Sequence, residues 1–254
     1  MSSNPPRIDV WAIDLDRWSD LHPEFSSVTG QDRAQADRMR SQGGGRRLLA
    51  RRSATRAVLA QVLGTLPSEV GIERNCPSCG SHNHGRPSVQ GAPVDFSVSA
   101  SGGLAMVAVS TGPVGVDLEV QPTTGRDSAV TPWGALTASE RNRLLELGTD
   151  GRTLGLLRLW TAKEALLKAS GRSLADNPST IEMSDLIGGD TVVVVDTTGT
   201  WTVRQITIDP AIDIRSGRPH GSVEGEHIVV AVADVGGGRL TWRTLTPEVV
   251  RPRP

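Results

Sequence analysis

The chain contains only two cysteines, Cys76 and Cys79. Two are too few for a disulfide scaffold, which excludes a small stapled fold. No apolar run approaches the roughly 18 residues of a membrane-spanning helix, so no membrane span is expected. The opening residues, MSSNPPRIDVWAIDLD, lack a basic segment followed by an apolar stretch, so no secretory signal is expected. Charge of one sign is missing too. Lys and Arg number 27 against 28 Asp and Glu, a formal net charge of −1. That balance argues against bulk binding to nucleic acid and confines any basic surface to a local patch. What remains is a cytoplasmic globular chain of 254 residues, 37% hydrophobic, long enough for one large domain or two small ones.

The basic patch is RRLLARRSATR, five arginines within residues 46–56. The stretches at 31–39 and 46–64 read as helices, the second with one apolar and one basic face. Its arginines suit anion binding, but a solvated face or packed arginine stems would give the same pattern. Residues 63–89 are punctuated by Gly and Pro and read as loops. Three short strands are expected at 94–100, 104–110 and 114–120, close enough for antiparallel hairpins. The polar stretch 121–135 is the natural boundary. Beyond it, Thr137 and Glu140 form a capping-box pattern that opens a helix near 138–147. A longer helix is expected at 152–171, stopped by Gly171. Strands follow at 191–196, 201–209 and 226–234. Helices come first and strands second in each half, which favours an α+β fold.

Two stretches carry chemistry. In VGVDLEV, residues 114–120, the strand period puts Asp117 and Glu119 on one face and the valines and Leu118 on the other. Two anions side by side need a cation, and Mg²⁺ suits hard oxygen ligands. A solvent-facing edge strand with ordinary acids is the plain alternative. In RTLGLLRLWTAKEALLKASG, residues 152–171, a helical wheel puts Leu156, Leu159, Trp160, Leu166 and Leu167 in one apolar stripe, with Lys163 inside it. A lysine there needs an anionic partner or a route to water. Glu164 and Lys168 sit four apart, as in an ordinary surface ion pair.

Together, in this order and about forty residues apart, these stretches resemble the signature pair of the 4′-phosphopantetheinyl transferases of the surfactin-synthetase type. Gly115, Asp117 and Glu119 match a G-x-D-x-E pattern. Trp160, Lys163, Glu164, Ala165 and Lys168 match W-x-x-K-E-A-x-x-K. HGRP (84–87) and FSVSASGG (96–103) resemble two further stretches of that family, so the likeness runs from about residue 46 to 171.

The resemblance implies two similar helix-plus-antiparallel-sheet halves with the active site in the cleft between them. Residues 1–120 would carry the Asp-x-Glu strand and the basic residues for coenzyme A. Residues 121–254 would carry the Trp-x-x-Lys-Glu helix, with a loose tail from about 245. It implies a holo-carrier-protein synthase. Such an enzyme moves the phosphopantetheine arm of coenzyme A onto a serine of an acyl or peptidyl carrier protein and releases adenosine 3′,5′-bisphosphate. Fatty-acid, polyketide and nonribosomal-peptide carriers all present such a serine. By the resemblance, Asp117, Glu119 and Glu164 bind Mg²⁺. Lys168 sits at the leaving phosphate. Glu164 either ligates the metal or takes the serine proton. Arg47, Arg52, Arg86, Ser99, Ser101, Lys163 and Lys168 meet coenzyme A. A chain holding its own cleft is expected to be a monomer.

One position departs from the pattern. Family members place a histidine between the two serines of this stretch, against the 3′-phosphate of coenzyme A. Here the stretch reads Ser99-Ala100-Ser101. Losing one charge-assisted bond costs about 1.5–3 kcal/mol of binding. The rival expectation is therefore an impaired or repurposed relative that binds coenzyme A or a carrier without turnover. A separate possibility is zinc at Cys76, Cys79, His82 and His84, although no second ligand pair follows a folded stretch as structural zinc sites require.

Overall fold

The computed structural model describes residues 6–22, 25–75, 80, 85–121, 133–172, 176–208, 212–213, 218–219 and 228–245. In chain order the elements are β1 (Arg7–Asp14), α1 (Leu15–Leu21), α2 (Gly30–Asp37), α3 (Gln42–Leu63), β2 (Ile72–Asn75) and β3 (Arg86–Val89). There follow β4 (Asp95–Ser101), β5 (Leu104–Ser110), β6 (Val114–Val120), α4 (Ala138–Leu145) and α5 (Thr149–Ser170). The rest are β7 (Thr191–Asp196), β8 (Gly199–Ile208), the two-residue β9 (Ile212–Asp213) and β10 (Arg218–Pro219), β11 (Ile228–Val235) and β12 (Arg239–Thr244).

Two four-stranded sheets organise the chain, in the orders β12-β1-β5-β4 and β6-β11-β8-β7. They stack face to face. Ile8, Val10, Met106 and Ala108 from the first meet Val114, Val116, Leu118, Val230 and Val232 from the second in a dry core. The outer face of the first sheet is covered by α3, through Ala50, Ala54, Val58 and Leu59 against Trp11, Phe96 and Val107. The outer face of the second is covered by α5, through Ala162, Ala165, Leu166 and Ala169 against Ala231 and Ala233. The result is four layers, helix, sheet, sheet, helix. With both faces buried, a strand reads as a continuous apolar run, as IVVAVADV of β11 does.

This is an α+β fold with helices and antiparallel sheets, as expected. β1 pairs antiparallel with β5 in the first sheet and β6 with β11 in the second, and a 22-residue helix packs on each. The expected hairpin of β5 with β6 does not form. Val114–Val120 pairs instead with β11, at an edge of the second sheet. The chain also returns at its end, where β12 pairs in parallel with β1.

Candidate active site

The site grows from the crossing of β6 and α5. Val114, Val116 and Leu118 face the core between the sheets, so Gly115, Asp117 and Glu119 face α5. A Cβ at Gly115 would lie 1.9 Å from the Ala165 carbonyl oxygen and 2.5 Å from the Ala169 nitrogen. Only glycine lets strand and helix backbones approach so closely. That approach brings the two acids of β6 beside Glu164 and Lys168 on the helix.

Asp117 is buried, 4% exposed. Its Oδ1 accepts from the Ser99 hydroxyl at 2.7 Å and from Lys168 Nζ at 2.5 Å. Lys168 also donates to Ser99 Oγ and the Val116 carbonyl, both at 3.3 Å. Glu119 Oε2 accepts from the Ser101 hydroxyl at 3.1 Å, and the Trp160 side chain makes a further hydrogen bond to this carboxylate. Two carboxylate oxygens here, Asp117 Oδ2 and Glu164 Oε1, are buried without a hydrogen-bond partner. Burial pushes the Glu119 carboxyl above its ordinary value, and Asp117 pushes it further. Burial likewise raises Glu164, with Asp117 and Glu119 adding to the rise against the pull of Lys168. The three acids therefore feel one another. Among the described residues, however, no three His, Cys, Asp or Glu side chains converge into a finished metal shell. The donor set still fits a hard divalent cation. It offers all-oxygen ligands, surplus negative charge and two orphaned buried oxygens.

The remaining candidates are dispersed. Lys163 lies inside the apolar stripe as the sequence suggested, but its side chain has no exposed surface. Its Nζ donates to Glu140 Oε2 at 2.6 Å and to the carbonyls of Ala135 and Pro178 at 2.8 and 3.0 Å. With three donors spent on buried acceptors, it cannot meet a coenzyme A phosphate, and that expectation is corrected. Arg86 is likewise committed, to the Asp95 carboxylate and the carbonyls of Val114 and Ala169. Arg47 makes a bidentate pair with Asp16, both contacts at 2.9 Å, and stays half exposed. Arg52 lines a polar cavity of about 390 Å³ with Arg56, Arg74, Asp32 and Glu73. Its Nε is buried without a hydrogen-bond partner. Burial, together with Arg52 and Arg51, pushes the Arg74 guanidinium down to about 10. Ala100 packs with Val98 toward the core under α3, on the strand face opposite Ser99. Cys76, Cys79, His82 and His84 lie outside the described residues.

Sequence reasoning did not single out Asp95, Ser97 or Glu140 as partners. The alternation Ser97, Ser99, Ser101 on one face of β4 was the available signal. The Ser97 hydroxyl accepts from the Val116 nitrogen at 3.1 Å and Ser101 from Val120 at 3.2 Å.

Comparison with known proteins bears on this geometry. Residues 113–230 match the model of the 4′-phosphopantetheinyl transferase superfamily. The match includes Asp117, Glu119, Glu164 and Lys168 and leaves out the arginines and serines. The chain is similar to the 4′-phosphopantetheinyl transferase HetI of Nostoc sp., 29% identical over 175 residues, which cover 66% of this chain and 70% of that protein. It is also 28% identical over 180 residues to slr0495 of Synechocystis sp., provisionally named for the same activity, with 67% of each chain covered.

Proposed function

We propose that this chain, whose residues 113–230 carry a phosphopantetheinyl transferase domain, is a Mg²⁺-dependent enzyme of the surfactin-synthetase type acting on acyl or peptidyl carrier proteins. The observation that carries this reading is the pair of orphaned buried oxygens, Asp117 Oδ2 and Glu164 Oε1, beside the Lys168 ammonium. Asp117, Glu119 and Glu164 would hold the ion, and its charge would neutralise the pyrophosphate of coenzyme A.

The rest of the reaction belongs to the side chains. A carrier serine oxygen attacks the phosphorus on the pantetheine side, and the bond from that phosphorus to the bridging oxygen breaks. The serine proton passes to water, or to Glu164 in the alternative in which that carboxylate acts as base rather than as metal ligand. Lys168, with 31% of its side chain exposed, is placed to neutralise or protonate the leaving phosphate. Ser99 and Ser101 orient the acids of β6 through their hydroxyl protons. Arg47 and the arginine-lined cavity at Arg52 are the candidates for the nucleotide phosphates.

The test is release of adenosine 3′,5′-bisphosphate from coenzyme A in the presence of Mg²⁺ and an apo carrier. Release that disappears in Asp117→Ala and Glu164→Ala supports the reading. Ala100 favours a second reading, a relative that binds coenzyme A without turnover. Coenzyme A binding with no release across several carriers supports that one.

A further inference from the structure

The three elements that bear the site are not joined by one hydrogen-bonded ladder. Ser99 and Ser101 lie on β4, an edge of the first sheet, and Asp117 and Glu119 on β6, an edge of the second. Glu164 and Lys168 lie on α5. Side chains bridge the seam between the two edges. Asp95, Ser97 and Ser101, spaced by even steps along β4, accept from the backbone nitrogens of Val114, Val116 and Val120.

One guanidinium touches all three elements. Arg86 pairs with Asp95 at the start of β4. Its Nη2 donates to the Val114 carbonyl at the start of β6 at 3.0 Å. Its Nη1 donates at 2.9 Å to the Ala169 carbonyl, in the last turn of α5. Carbonyls in a last helical turn have no intrahelical partner, and a cation there also opposes the helix dipole. Asp95 completes the grip, since its Oδ2 accepts from the Val114 nitrogen at 3.1 Å. The ion pair thus holds both backbone groups of the residue before Gly115, the point where β6 and α5 cross. That crossing fixes how far Asp117 stands from Glu164.

We infer that Arg86 and Asp95 form a positioning clamp that sets the spacing of the metal-binding carboxylates, and that Arg86 is not a coenzyme A ligand. The inference rests on the reading of Asp117, Glu119 and Glu164 as the cation-binding face. An open cavity of about 610 Å³ borders Arg86 and Asp95, and there the Asp95 carboxylate competes with any anion for the guanidinium.

The two roles give opposite results for Asp95→Asn. Loss of a counter-anion would free a phosphate-binding arginine and tighten coenzyme A. Loss of the clamp would instead loosen the metal site. The experiment titrates Mn²⁺ alone into the full chain by calorimetry, then coenzyme A in the presence of a chelator. Arg86→Met and Asp95→Asn are each expected to weaken Mn²⁺ by about tenfold or more, as supporting groups around metal ligands commonly do. Coenzyme A affinity is expected to stay within about twofold. Arg243→Met, which removes the pair with Asp9 between β12 and β1, is the control that lowers thermal stability without moving Mn²⁺ affinity. Tighter coenzyme A binding in Asp95→Asn, or Mn²⁺ affinity unchanged in it, overturns the clamp, and this variant decides even if Arg86→Met does not fold. A wild-type chain that binds no Mn²⁺ overturns the underlying reading and the clamp with it.

Discussion

Two neighbouring residues of α5 mark the residue scale here: Lys163, which is neutralised by Glu140, and Glu164, whose Oε1 is buried without a hydrogen-bond partner. Lys163 and Glu140 form a fully buried pair, and Glu140 also accepts from the backbone nitrogens of Thr137 and Met183. Lys163→Met strands that carboxylate and is expected to cost about 3–5 kcal/mol in denaturant unfolding. An unchanged midpoint with weakened coenzyme A binding would instead restore Lys163 as a phosphate contact. Glu164 works in the other direction. Its carboxyl is raised above the ordinary 4.5, chiefly by burial, so the fold binds its proton more tightly than the unfolded chain does. Such a group lowers stability as pH rises through the interval above 4.5, and the penalty is complete above the folded value. Metal-free Glu164→Gln is therefore expected to melt above the wild type at pH 7.5, with the difference vanishing below about pH 4.5. Equal melting at pH 7.5 contradicts the burial argument.

At the scale of elements, the central feature is the contact of β6 with α5. Gly115→Ala would drive a methyl group to 1.9 Å from the Ala165 carbonyl oxygen and 2.5 Å from the Ala169 nitrogen, both backbone atoms of α5. We expect loss of folded protein in expression and circular dichroism, and a well-folded Gly115→Ala chain would mean that the crossing is looser than described. Much of this level was legible in the sequence. The spans 104–110, 114–120 and 191–196 coincide with β5, β6 and β7, because alternating or continuous apolar runs between Gly and Pro leave little choice. The facing of Asp117 and Glu119 followed from the strand period alone. Their partners did not. Ser99, Ser101 and Arg86 act across a seam between strands of different sheets, and local periodicity carries no information about such pairings. Lys163 shows the limit most clearly. Its position inside an apolar stripe announced the need for an anion, but the anion turned out to be Glu140 at the start of α4 rather than a ligand phosphate.

The whole molecule closes on itself through its last described strand. β12 lies parallel to β1, with Arg243 paired to Asp9 at 2.9 Å and its guanidinium 5.2 Å from the centre of the Trp11 ring. No strand is expected from the sequence at β1 or β12, although Pro6 and the three glycines 236–238 adjoin them. A chain ending at Val235 leaves β1 with an open edge, and we expect a lower melting temperature and concentration-dependent aggregation by light scattering. Unchanged melting would show that the first sheet stands without its fourth strand. The two-sheet arrangement also explains why the site sits where it does. Asp117 and Glu119 lie on the first strand of the second sheet, the serines on an edge of the first, and Glu164 and Lys168 on the helix that covers the second. The most direct test of the central claim is the intact mass of an apo carrier protein incubated with this chain, coenzyme A and Mg²⁺. The account expects a gain of one phosphopantetheine arm, lost with Asp117→Ala. No gain on acyl or peptidyl carriers, or a gain that survives Asp117→Ala, would contradict it.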